Sequence, residues 1–210
     1  MKRLLFTFCI WWLWVVAAGA ASDPEFGIRL FNDKQWTTAQ QFFATYTQEH
    51  PTDAVGAFYL GRTLFEQQQY EQAVEWLEKA TLLDNANSYY HLWLGRAYGY
   101  SAQRASILWQ FPLARKVKVH FEKAVELNPD NIDARADLAE YYIKAPRILG
   151  GGQEKAEAQA HEISQRNLED GLRVWRMIAA ENAQEYVQAE REQQKRVEEN
   201  TAKFGKGILP

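Results

Sequence analysis

Shifted by 34 residues, the sequence falls on itself. Ala39 and Phe43 align with Ala73 and Leu77, Trp36 with Tyr70, and Pro51 with Asn85. Leu60-Gly61 and Leu64 recur as Leu94-Gly95 and Tyr98, each glycine followed by an arginine (Arg62, Arg96), and again as Leu138-Ala139 and Tyr142. EKATLLDNAN, residues 78–87, is restated as EKAVELNPDN, residues 122–131. A period of this length restricts the fold severely. One repeat is one supersecondary unit, too small to bury its apolar face alone, and only stacked copies make a continuous core. Within each unit the apolar residues have helical spacing. Between units, HPTDA, LDNAN and LNPDN combine Pro, Asn and Asp as helix stops and N-caps. These signals predict helices near 24–32, 35–48, 53–67, 70–83, 87–106, 113–127, 131–144, 152–166 and 169–200.

The pattern W-x2-L-G-x2-Y, then A-x3-F, then P, at this period, resembles the tetratricopeptide repeat family across residues 23–168. It departs in two places. The tryptophan position holds Ala57, His91 and Arg135 in the last three units, and the first unit has a degenerate first helix around EFGIRLFND. The resemblance implies an all-α, right-handed superhelical solenoid of antiparallel helix hairpins. About four hairpins span residues 22–168, and 169–210 form a C-terminal capping helix and tail. Gly61, Gly95 and Ala139, on the first (A) helix of each hairpin, are expected to face alanines on the second (B) helix. The implied function is a non-catalytic scaffold that binds a protein or peptide in a groove lined by the A helices. By position, Phe58, Arg62, Phe65, Tyr89, Leu92, Arg96 and Glu140 are expected to point into it. Arg62 and Arg96 then form a positive pair suited to a peptide carboxylate or an acidic side chain. The plainer alternative is that they pair with Glu66 or Glu140.

Two units are longer than the period. From Tyr98 to Val117 is 19 residues where the repeat allows 9, which predicts a long third hairpin with Pro112 in the first turn of its second helix. Ile107, Leu108, Trp109 and Phe111 then lie near its tip. They either fold back on the neighbouring hairpin or dock a partner, and Trp109 with Phe111 also suit self-association. From Tyr142 to Ala156 is 14 residues, with APRILGGG in the widened turn. This glycine run is no nucleotide loop: no buried strand precedes it and no Ser or Thr follows Lys155 to hold magnesium. It reads as a turn with glycines at positive φ after Pro146 has stopped a helix. The pairing of this turn with a long third hairpin is similar to bacterial secreted tetratricopeptide-like proteins.

No catalytic, cofactor or metal constellation emerges. His91 and His120 lie on paired helices, but two histidines without a further ligand make a weak zinc site. The tail helix carries Leu172, Trp175, Ile178, Ala179 and Tyr186 at helical spacing and becomes mostly charged beyond, which suits a cap with one wet face; FGKGILP is expected to fray. At the other end, Lys2 and Arg3, an apolar run from Leu4 to Val16, and the small residues Ala18 to Ala21 have the layout of a cleaved signal peptide over residues 1–21. The alternative is an inner-membrane anchor over residues 4–21. Cleavage predicts a periplasmic or secreted protein without cysteine, since Cys9 is the only one. It also moves the formal charge from −3 to −5, because Lys2 and Arg3 leave and no acid does. That acidity speaks against general nucleic-acid binding. No small-molecule substrate is expected. An accessory subunit or enzyme of the bacterial envelope, and a self-associating structural protein, are the alternative functions.

Overall fold

The computed structural model describes residues 23–204. The expectations for a signal peptide or anchor at 1–21 and for a frayed FGKGILP fall outside that range, apart from Phe204. Among the described residues there are nine α-helices, one short 3-10 helix and no strand. They fall into two compact units divided after Asn131.

The first unit holds three antiparallel hairpins: α1 (Pro24–Asn32) with α2 (Trp36–Glu49), α3 (Ala54–Glu66) with α4 (Tyr70–Leu83), and α5 (Ser88–Arg104) with α6 (Ile107–Leu127). The sequence period reappears as backbone detail. Asp53 and Asn87 occupy equivalent N-caps and accept the amide protons of Val55 and Tyr89 through their side-chain oxygens. Lys34 and Gln68 sit in the equivalent A-to-B turns with φ of 59° and 62°. In each of those turns the next residue closes the loop, with N–H donating from Gln35 to Leu30 and from Gln69 to Leu64. The third hairpin has no such turn, because α5 continues to Arg104 and only Ala105 and Ser106 separate it from α6.

The core is built where A and B helices meet. Ala39, Phe43, Ala57, Leu60, Leu64, Ala73, Leu77, Leu92, Leu94, Ala97, Tyr98, Phe121 and Ala124 are buried. Gly61 and Gly95 were expected to face alanines, but their nearest neighbours across the hairpin are larger residues. A Cβ on Gly61 would stand 2.7 Å from Cγ of Leu77, and one on Gly95 would stand 2.5 Å from the Phe121 ring. At Gly95 the missing Cβ makes room for a large side chain, and at Gly61 for both the Leu77 side chain and its backbone nitrogen (3.1 Å).

The second unit contains α7 (Ile132–Lys144), the 3-10 turn Arg147–Leu149, α8 (Gln153–Arg166) and α9 (Leu168–Phe204). Its core is Ala134, Leu138, Ala139, Tyr142, Leu149, Ala156, Ala160, Ile163, Val174 and Ile178. Ile178 turns inward as expected, but the rest of the apolar face of α9 is offset by one residue from the expected one. Gly171, Val174 and Ile178 turn inward, whereas Leu172, Trp175 and Ala179 are exposed. Gly171 explains the offset: it lies against Ser164 so closely that a Cβ would overlap the serine. The Tyr186 side chain is outside the described residues.

Two further features depart from the sequence reading. Helix α6 begins at Ile107 rather than 113, so Pro112 is inside the helix, in its second turn. The hairpin is also lengthened unevenly. α5 has 17 residues against 13 in α3, and α6 has 21 against 14 in α4.

Candidate protein-interaction face

The A helices of the first unit meet along an aromatic seam. Phe31 packs on Tyr59 (5.4 Å between ring centroids), Phe58 stacks on Tyr90 (4.6 Å), and Phe65 meets Trp93 (5.3 Å) and Tyr100 (5.2 Å) edge-on. These contacts join α1 to α3 and α3 to α5. They follow from apolar residues recurring one helical turn apart on the faces that neighbouring A helices share.

Two arginines flank one indole in this seam. The Arg62 guanidinium lies 3.3 Å from the Trp93 ring centroid and the Arg96 guanidinium 4.5 Å. Arg62 also sits over Phe31 (4.9 Å) and reaches Glu66 at 3.5 Å. Its side chain is only 17% exposed, and Nε is buried without a hydrogen-bond partner. Burial pulls its pKa down to about 10, partly offset by Glu66, so it stays charged at neutral pH. Arg62 is therefore a cation packed among rings and paired to Glu66, the plainer of the two expectations for it. Arg96 is half-buried beside Trp93.

The other sequence-derived residues divide by exposure. Tyr89 is 54% exposed. Phe65 is half-buried. Phe58 and Leu92 are buried within the packing, so they cannot meet a partner and are corrected to core residues. Glu140 belongs to the second unit and holds Lys144 at 2.5 Å. Trp109 (64%) and Phe111 (49%) are exposed near the start of α6, away from the seam. Two residues of the face were not singled out from sequence: Trp93 and Tyr100. Their spacing gave the signal, since Tyr89, Trp93, Arg96 and Tyr100 recur at helical intervals along one side of α5. Tyr100, 44% exposed, is stacked on Tyr70 (4.9 Å). Arg104 covers the other end of that pair, over the Tyr70 ring and donating to the Gln68 carbonyl at 2.9 Å.

The histidines do approach. His91 and His120 stack with their Nδ1 atoms 3.0 Å apart. His91 Nε2 faces the Asn85 carbonyl at 3.1 Å, so that nitrogen carries the proton, and His91 Nδ1 accepts from His120 Nδ1–H. Next to them Tyr98 donates to Glu78 and accepts from Lys116 Nζ (2.9 Å). Burial and the hydrogen bond to Glu78 push the tyrosine up to about 12. Among the described residues no group of three or more His, Cys, Asp or Glu is placed to hold a metal.

The glycine run is a turn. Gly150 has φ of 89°. A Cβ on Gly151 would overlap the Ala145 carbonyl. The N–H groups of Gly150, Gly151 and Gly152 donate to Arg147, Pro146 and Tyr142, and Lys155 Nζ donates to the Gly150 carbonyl at 2.8 Å. Groups that a phosphate would require are thus turned onto the chain itself.

The architecture defines a class: a stack of antiparallel helix hairpins with short polar turns. A sequence model for the TPR repeat matches residues 61–99. Solved structures agree in fold. MamA from Desulfovibrio magneticus RS-1 superposes with a TM-score of 0.57 at 21% identity, over 70% of this chain and 77% of that one. TTC0263, a thermophilic TPR protein of Thermus thermophilus, gives 0.59 at 17% identity over 86% and 96%. YrrB, a TPR protein described as having an unusual peptide-binding site, gives 0.54 at 18% over 68% and 66%. Curated protein sequences yield no significant match. The chain has the tetratricopeptide-repeat fold, and the all-α helix-hairpin architecture implied by the resemblance is the one it adopts.

Proposed function

We propose that the chain is a non-catalytic scaffold holding a segment of a partner protein against the A-helix face of its first unit. The observation that carries this is the partly exposed row Tyr89, Trp93, Arg96 and Tyr100 on α5, with Phe65 of α3 beside it and Trp93 held in place by buried Arg62. Rings of this kind give contact area at little entropic cost, and a guanidinium orients an acidic group. A peptide-binding surface in a TPR protein, as the description of YrrB states for that protein, supports the reading.

The test is capture from native cells with Arg96→Glu plus Tyr89→Ala. These changes spare the buried Arg62, whose charge reversal would disturb the core. Loss of the main captured partner with unchanged helical circular dichroism is expected. Capture that survives both changes would overturn the proposal.

We further propose that the protein is exported after cleavage of residues 1–21. Asp23, two residues past the expected cleavage site, is the N-cap of α1, so cleavage there leaves the first described helix whole. Edman degradation of the protein from its native cells should begin at Ser22. A chain retaining Met1 in the membrane fraction would point instead to an anchor over residues 4–21.

A further inference from the structure

The charge of this chain is unevenly placed. All 27 of its carboxylate side chains lie outside residues 85–121, whereas five of its 24 cationic side chains lie inside that stretch. Those 37 residues are α5 and most of α6. The long hairpin is therefore basic within a chain of net charge −3.

Its tip is apolar and wet. Ile107, Leu108, Trp109 and Phe111 are 72%, 82%, 64% and 49% exposed. Along α6, Leu108, Phe111, Arg115 and Lys118 follow one another at helical spacing on one face, with Arg115 exposed. At about 1.5 Å per residue, the cations stand roughly 6–15 Å behind the apolar turn. Part of the tip's polar groups are paired within it: Ala105 N–H donates to the Ser101 carbonyl, the Gln110 side chain donates to the Ala105 carbonyl, and Trp109 N–H donates to the Ser106 carbonyl. Such closure suits entry into a medium that offers no hydrogen bonds.

We infer that the α5–α6 tip docks on the surface of an anionic phospholipid bilayer. Ile107, Leu108, Trp109 and Phe111 enter the headgroup and acyl boundary, where tryptophan is favoured, and Arg115 and Lys118 meet lipid phosphates. Lys116 plays a lesser part, because it is held by Glu78 and Tyr98, whereas Lys118 has only a long pair with Glu122 (3.9 Å) that a phosphate can replace. The contact is interfacial. No helix among the described residues is long and apolar enough to cross a membrane. The charge pattern decides between occupants: a second copy of the same hairpin would bring like charges together, whereas an anionic surface complements them.

The test uses the full chain with Cys9→Ser and a single spin label at Leu108→Cys. A second protein carries its label at Leu82→Cys, an exposed α4 site outside the tip. Accessibility to oxygen and to a water-soluble nickel chelate is read with phosphatidylcholine vesicles, with and without phosphatidylglycerol. A label reports its own surroundings, so association through residues 1–21 does not imitate the result. Site 108 should exchange nickel for oxygen accessibility only with phosphatidylglycerol present, while site 82 stays in water. Arg115→Glu with Lys118→Glu should lower the bound fraction at site 108 by about tenfold or more, since each cation near an anionic surface contributes severalfold to partitioning. Three outcomes would overturn the inference: site 108 as water-exposed as site 82, protection at 108 without vesicles, which means a second copy, or equal insertion in pure phosphatidylcholine.

Discussion

Single residues carry two kinds of constraint in this molecule, titration and backbone shape. His91 and His120 are both held below the ordinary histidine value, mainly by burial, with Lys123 lowering His91 and His91 and Lys116 lowering His120. Asp84 and Glu126 act against this at His91, as Glu78 does at His120. His120 falls to about 4. The unfolded chain therefore takes up protons first as pH drops. This contribution to stability is whole above about pH 6.5 and is lost progressively down to about 4. Thermal unfolding against pH should show a shallower acid slope for His120→Gln than for wild type; equal slopes would remove the histidine pair as the cause. The three glycines of the widened turn make a second case, because adjacent and identical residues have different roles. Gly151→Ala must displace the Ala145 carbonyl and should cost several kcal/mol, as overpacking and strain do. Gly150→Ala should cost about 1 kcal/mol for its positive φ. Gly152→Ala should cost nothing, since its backbone is extended (φ 161°) and nothing lies within 4 Å of an added Cβ. Urea midpoints of the three variants give the ranking directly.

At the scale of elements, the period made the repeat helices legible and did not reveal their rotations. The boundaries of α1 to α5, α7 and α8 agree with the sequence reading within a few residues, and Asp23, Asp53 and Asn87 cap α1, α3 and α5 as those residue types do. The start of α6 was hidden because Pro112 reads as a helix beginning, while the apolar residues before it also have helical spacing. The face of α9 was read correctly at Ile178 and misread at Leu172 and Trp175, for a different reason. Leu172 and Trp175 are the larger apolar residues, but the close approach at Gly171 rotates Val174 and Ile178 inward. Ile178→Ala should therefore destabilise the second unit by about 2–4 kcal/mol, and Trp175→Ala by distinctly less. The reverse order in denaturant melts would mean that Trp175 is the inward residue. The interaction face was legible in part. Arg62 and Arg96 were found by repetition, yet only three-dimensional packing shows that Trp93 lies between them and that Arg62 is buried.

For the molecule as a whole, the two units are built from the same kind of hairpin but present different surfaces. The first carries the exposed aromatic and basic row of α5 and the apolar tip of α6. The second carries the widened glycine turn and the long α9. The central claim is that the partner segment lies along α5 in the first unit. Photo-crosslinking amino acids placed singly at positions 89, 96 and 100, and at the exposed positions 82 and 148 for comparison, test it in native cells. A shared adduct at 89, 96 and 100 that is absent at 82 and 148 is predicted. The same adduct at all five positions, or none along α5, would contradict the account.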